Sequence, residues 1–132
     1  MKNESELKLL IDWSIPVGAL GYSMGGFATH ITATNESKIK EFNIGAAVAL
    51  HPVHSDEEPI KLPIFYAAGS KDKTTPAKFI KQMYNAVPDK QPKVFANLLD
   101  AIHGEPYLQA RWNPYIVSFF NCHLLKIDID CK

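Results

Sequence analysis

Four short apolar runs, each followed by a polar residue, constrain the fold of this chain more than any other feature. They are residues 17–21, 44–50, 62–68 and 93–99. Each is small and apolar on both faces, or nearly so, as the buried strands of a parallel sheet are. Helix-compatible segments alternate with them at 24–34 and 76–87, and a last helix is expected over 113–125. Strands alternating with helices give a parallel α/β sheet of about four strands in one domain, residues 1–132. In such sheets ligands and chemistry collect at the carboxyl ends of the strands. Ser23, His51, Asp72 and His103 each follow one of the four runs.

Local signals fill in the rest. Residues 4–13 read as a short amphipathic helix with Leu7, Leu10 and Ile11 on one face and Trp13 at its edge. Pro16 ends it. Pro63 falls at the start of its strand, where a missing N–H matters least. Pro76 suits a first helical position, and Thr75 is expected to cap that helix.

The first run leads into Gly21-Tyr22-Ser23-Met24-Gly25. This is the G-x-S-x-G pattern of a strand-to-helix turn that holds a serine in a strained, exposed position. A side chain at either outer glycine is expected to collide with the neighbouring strand or helix. The serine also sits near a helix N-terminus, where backbone N–H groups favour negative charge. That arrangement suits attack on a carbonyl and stabilisation of the resulting oxyanion. The plainer reading is a tight βα turn with a surface serine. The order of the polar residues later in the chain argues against it.

A serine hydroxyl needs a base, and the base needs an acid that holds its tautomer. With this turn the usual chain order is serine, acid, histidine, which selects Ser23, Asp72 and His103. His51 also reaches the strand ends but precedes Asp72, so a cleft-lining role suits it better than that of the base. His54 reads as a loop residue, and His30 and His123 as structural or exposed helix residues. Asp56, Glu57 and Glu58 compete with Asp72 but lie in a charged loop and read as solvated. A turn aspartate bonding its own backbone is the plain alternative for Asp72.

Composition excludes several classes. Fourteen basic residues balance fourteen acidic ones, so no basic surface for nucleic acid is expected. No apolar stretch has the length of a membrane span. The polar, partly acidic first residues do not read as a signal peptide. Hydrophobic residues are 46% of the chain, enough for a core at this length. Cys122 and Cys131 are either a disulfide pinning the tail or two free thiols. With His123 alone beside them they supply too few ligands for a metal. Asn3 and Asn35 head glycosylation sequons, which matter only if the chain is secreted.

Taken together, these residues resemble the C-terminal half of an α/β-hydrolase, closest to the cutinase-like and dienelactone-hydrolase-like serine esterases, the group that includes polyester hydrolases. Gly21-Tyr22-Ser23-Met24-Gly25-Gly26 resembles their Gly-His-Ser-Met-Gly-Gly turn. Residues 46–54 resemble their next strand and its proline loop, and residues 62–76 their aspartate strand and turn. Residues 102–106 resemble the histidine loop, and residues 114–124 the closing helix. The resemblance implies an esterase working through an acyl-serine, with no metal or organic cofactor. It implies Met24 as an oxyanion-hole donor and Tyr22, His51 and Val53 as cleft residues. Relatives with polyester activity often carry tryptophan where this chain has Val53. The expected fold is partial, lacking the N-terminal strands and the loop that gives a second oxyanion donor. A longer gene product or a second chain would complete the sheet.

Two other readings are open to the sequence. One is a degenerate hydrolase-like domain that binds a partner or an apolar ligand. The other, a small nucleotide-binding α/β module, lacks a phosphate-cradling glycine loop.

Overall fold

The computed structural model describes residues 12–56 and 59–131. The helix expected over residues 4–13 lies almost wholly outside them, and Trp13 sits in a turn. Four strands form one all-parallel sheet in the order β1-β2-β3-β4. They are β1 (Val17–Tyr22), β2 (Ile44–Leu50), β3 (Ile64–Gly69) and β4 (Lys93–Leu98). Helix α1 (Met24–Thr34) leaves β1, and a short α2 (Glu36–Glu41) follows it. Helix α3 (Ala77–Ala86) joins β3 to β4. Beyond β4 come α4 (Glu105–Leu108) and α5 (Asn113–Phe120), which loosens into a π turn, Asn121–Leu125. No described helix is long and apolar enough to cross a membrane.

Successive strand residues point to opposite faces of the sheet, and each face has its own cover. Ala47, Ala49, Ile64, Tyr66 and Ala68 pack under Ala33 of α1 and under Ile80 and Met83 of α3. Ala46, Val48, Leu50, Phe65 and Ala67 pack under Trp112 and Phe119, which belong to the start and body of α5. Because both faces are covered, β3 is buried along its whole length. Each large side chain removed from water there contributes about 1.5–3 kcal/mol.

Two sequence expectations are corrected, and one element is new. The first strand is not buried on both sides. It is the sheet's edge, with Val17 45% and Leu20 49% exposed, since among the described residues it pairs with β2 alone. Helix α2 was not foreseen because none of its residues is fully buried and Ile39 alone packs against the core. It is held by the Asn35 side chain accepting from Lys38 N–H and by an exposed Lys40–Glu36 pair. Thr75 does not cap α3; Pro76 takes the cap position without a side-chain bond. The cysteine alternatives resolve to a Cys122–Cys131 disulfide. It holds the tail where Asp130 accepts from Ser118 and Asn121.

Candidate active site

The register brings the four polar residues level. Tyr22 pairs with Leu50, and the ladder runs one step past the strands. Ser23 N–H donates to Leu50 O at 2.9 Å, His51 N–H to Ala67 O at 2.9 Å, and Ser70 N–H to Leu98 O at 3.0 Å. The carboxyl ends of all four strands thus present Ser23, His51, the turn holding Asp72 and the loop holding His103 along one edge.

Ser23 sits at φ 56°, ψ −116°, outside the regions comfortable for a residue with a side chain. Such strain persists only where the surroundings impose it. Gly21 is part of that imposition: a Cβ there would collide with the Gly25 carbonyl oxygen and come within 2.6 Å of Thr29 Oγ1. Gly25 is not, contrary to expectation. It faces open space, with nothing within 4 Å of a Cβ, and the close approach falls instead to Gly26 against Pro52. Met24 opens α1, so its N–H is one of the first-turn amides that have no acceptor within the helix.

Asp72 is the most constrained polar group in the described chain. Its Oδ1 accepts from the Thr74 and Thr75 amides, both at 2.8 Å. Its Oδ2 accepts from His51 Nδ1, His103 Nδ1 and Thr75 Oγ1, each at 2.8 Å. Burial alone would push this carboxyl up. The Thr75 amide and the His103, His51 and Thr75 side chains outweigh it and bring it down to about 2. Thr75, read from sequence as a helix cap, is therefore a site residue. Its Oγ1 also lies 3.1 Å from His51 O and 3.2 Å from His103 Nδ1.

His103 Nε2 lies 2.9 Å from Ser23 Oγ. With Asp72 accepting at Nδ1, the hydroxyl donates to a bare Nε2. The Tyr22 ring stands beside this imidazole at 5.1 Å between centroids. The loop is anchored just beyond, where buried Glu105 Oε1 accepts from Arg111 N–H at 3.0 Å and from its Nε at 3.2 Å.

The expected cleft residues divide. Tyr22 lines an apolar groove of about 410 Å³ with Leu20, Leu50, Pro106, Tyr107 and Ile116. Val53 is half-buried beside the serine, its N–H 3.3 Å from Ser23 O. His51 is corrected: it is fully buried and lines no cleft. It lies beneath Asp72 and accepts from Trp112 Nε1 at 3.2 Å. Of the remaining histidines, His30 is buried against the Tyr66 hydroxyl at 2.6 Å, and burial, with His54, brings it down to about 4. His123 packs on Phe119. Asp56 is solvated, and Glu57 and Glu58 lie outside the described residues.

His51, Asp72 and His103 also have the spacing of a metal site, with one ligand atom from each within 4.8 Å of the others. The indole N–H is a donor only, so it fixes the His51 proton on Nδ1. That nitrogen is then a donor to Asp72 and not a free ligand. The cluster reads as a hydrogen-bond network. Thr75, Trp112 and the Glu105–Arg111 anchor were missed from sequence. An Asp-x-Thr-Thr turn could have flagged Thr75, but no local signal ties Trp112 to His51. No protein-family model matches this chain, and no curated protein matches it.

Proposed function

We propose that the chain is a serine hydrolase of carboxylic esters, on a partial α/β-hydrolase fold. One observation carries the reading: Ser23 Oγ, His103 and Asp72 form a continuous hydrogen-bonded chain of 2.9 and 2.8 Å at the strand ends. The order serine, acid, histidine along the sequence supports it.

In this reading His103 Nε2 takes the Ser23 proton as Oγ bonds to the ester carbonyl carbon. The carbonyl oxygen becomes an anion facing the Met24 N–H at the start of α1. Collapse breaks the bond to the alkoxy oxygen, which leaves as the alcohol with the proton from His103. Water then repeats the sequence on the acyl-serine, releasing the acid and restoring Ser23. Asp72 holds its charge throughout and orients the imidazole. The groove beside Tyr22 suits an apolar acyl or alcohol group. No cofactor is needed for these steps.

A non-catalytic binding domain of the same fold is the second reading, favoured by the apolar side chains that β1 leaves exposed. A fluorophosphonate probe separates the two. An equimolar adduct mapped to Ser23, lost in Ser23→Ala and His103→Ala, supports the hydrolase. A folded chain that takes no adduct overturns it.

A further inference from the structure

The proposed reaction uses one imidazole on Asp72, yet two are bound there. His51 Nδ1 and His103 Nδ1 lie at the same 2.8 Å from the same oxygen, Oδ2. Only His103 reaches the serine. His51 is fully buried, with its far nitrogen against the Trp112 indole.

That contact decides its protonation. The indole offers a hydrogen and accepts none, so His51 Nε2 is bare and the ring's one proton is on Nδ1, donated to Asp72. A second proton on Nε2 would meet the indole N–H head-on, in a place closed to bulk solvent. The groups facing this ring are Asp72 and Thr75 from the turn after β3, His103 from the loop after β4, Glu105 from α4 and Trp112 from the start of α5. Burial first, and His103 after it, lower its affinity for a proton against the pull of Asp72 and Glu105.

Two backbone features place the ring independently of its hydrogen bonds. His51 has φ 44°, the left-handed region that a side chain adopts at a cost. Across from it, a Cβ at Gly69 would stand 2.8 Å from His51 Cε1. The neighbouring strand end has no side chain where the imidazole lies.

We infer that His51 is a positioning residue: a permanently neutral imidazole, set by Trp112, that aims Asp72 Oδ2 at His103. Two amides pin Oδ1, but pinning one oxygen leaves the carboxylate plane free to twist. His51 and Thr75 remove that freedom. Because His51 has no place for another proton, the proton leaving Ser23 has a single destination. The effect on reactivity rests on the hydrolase reading; the protonation state does not.

Two measurements on the 132-residue chain test this. The first is two-bond ¹H–¹⁵N correlation of the histidine rings from about pH 8 down to about pH 5, the range in which an ordinary histidine titrates. His51 is expected to keep its proton on Nδ1 and a bare Nε2 throughout. A proton on Nε2 anywhere in that range overturns the inference whether or not the chain is a hydrolase. In Trp112→Phe the Nε2 nitrogen signal is expected to move, because that atom loses the indole hydrogen; an unchanged Nε2 signal overturns the role given to Trp112. The second compares fluorophosphonate labelling rates at Ser23 in His51→Leu and His51→Asn. Leucine is expected to slow labelling by about 10- to 100-fold, the loss that a small misplacement of a catalytic group brings. Asparagine, which keeps a donor near the place of Nδ1, is expected to recover most of it. Equal slowing in both, or none in either, overturns the positioning role. A wild-type chain that takes no adduct sinks the hydrolase reading and leaves the ring spectra to decide His51.

Discussion

β1 and β3 stand two places apart in the sheet and are held by opposite means. All six residues of β3 are buried, and the turn after it delivers Asp72 into five hydrogen bonds. β1 has three exposed residues out of six and no partner on its outer side among the described residues, yet it delivers Ser23. Asp72 is fixed by burial and hydrogen bonding. Ser23 is fixed by sterics: a positive φ in its own backbone and a glycine at 21 that lets α1 lie close. A polar group whose only task is to stay charged and aimed can sit inside. In the proposed reaction, one that must meet a substrate has to stand at the surface and be held by the shape of its turn.

The contrast can be attacked from either side. The largest effect is expected at the buried end. Asp72→Asn presents an amide to two imidazole donors and favours the wrong His103 tautomer, so the Ser23 labelling rate should fall roughly 10⁴-fold. A fall of under tenfold would mean that the hydrogen-bonded end matters less than the turn. Gly21→Ala should come next. Its methyl collides with the Gly25 carbonyl oxygen, and overpacking of this kind costs about 3 kcal/mol, readable in a denaturant midpoint.

The third test concerns pH. His30 is held down to about 4 in the folded chain. As pH falls below the ordinary histidine value of 6.5, the unfolded chain takes this proton and the folded chain does not. Stability should therefore drop between about pH 6.5 and about pH 4, by up to about 3 kcal/mol. His51 and His123, also lowered, act in the same direction. Asp72 keeps its contribution until pH falls below about 4, toward its folded value near 2. His30→Gln should flatten the slope of urea midpoint against pH. The smallest effect is at the exposed end: Gly25→Ala enters open space within a helix and should stabilise by about 0.5–1 kcal/mol. A loss there would mean that the second glycine of the turn is needed after all.

The strands and the long helices were legible because apolar runs and proline stops are local signals. Ser23, Asp72 and His103 were legible because each lies in the segment that leaves a strand: Ser23 directly, Asp72 in the turn after β3 and His103 in the loop after β4. The misplacements share one cause. Whether His51 faces a cleft or the interior depends on Trp112, sixty-one residues away, and no pattern along the chain encodes that meeting. Thr75 was misread because a threonine before a proline-led helix fits a cap as well as it fits a carboxylate. The exposure of β1 depends on what pairs with it, which its own residues do not state.

Trp112 has a further use. The chain has two tryptophans. Trp13 is 63% exposed, and Trp112 is 1% exposed with its indole N–H engaged by His51. A polar quencher in solution should extinguish the first emission and leave the second, bluer one. The surviving light then comes from the far end of the Ser23 hydrogen-bond chain, so the condition of the site can be followed optically with no label attached.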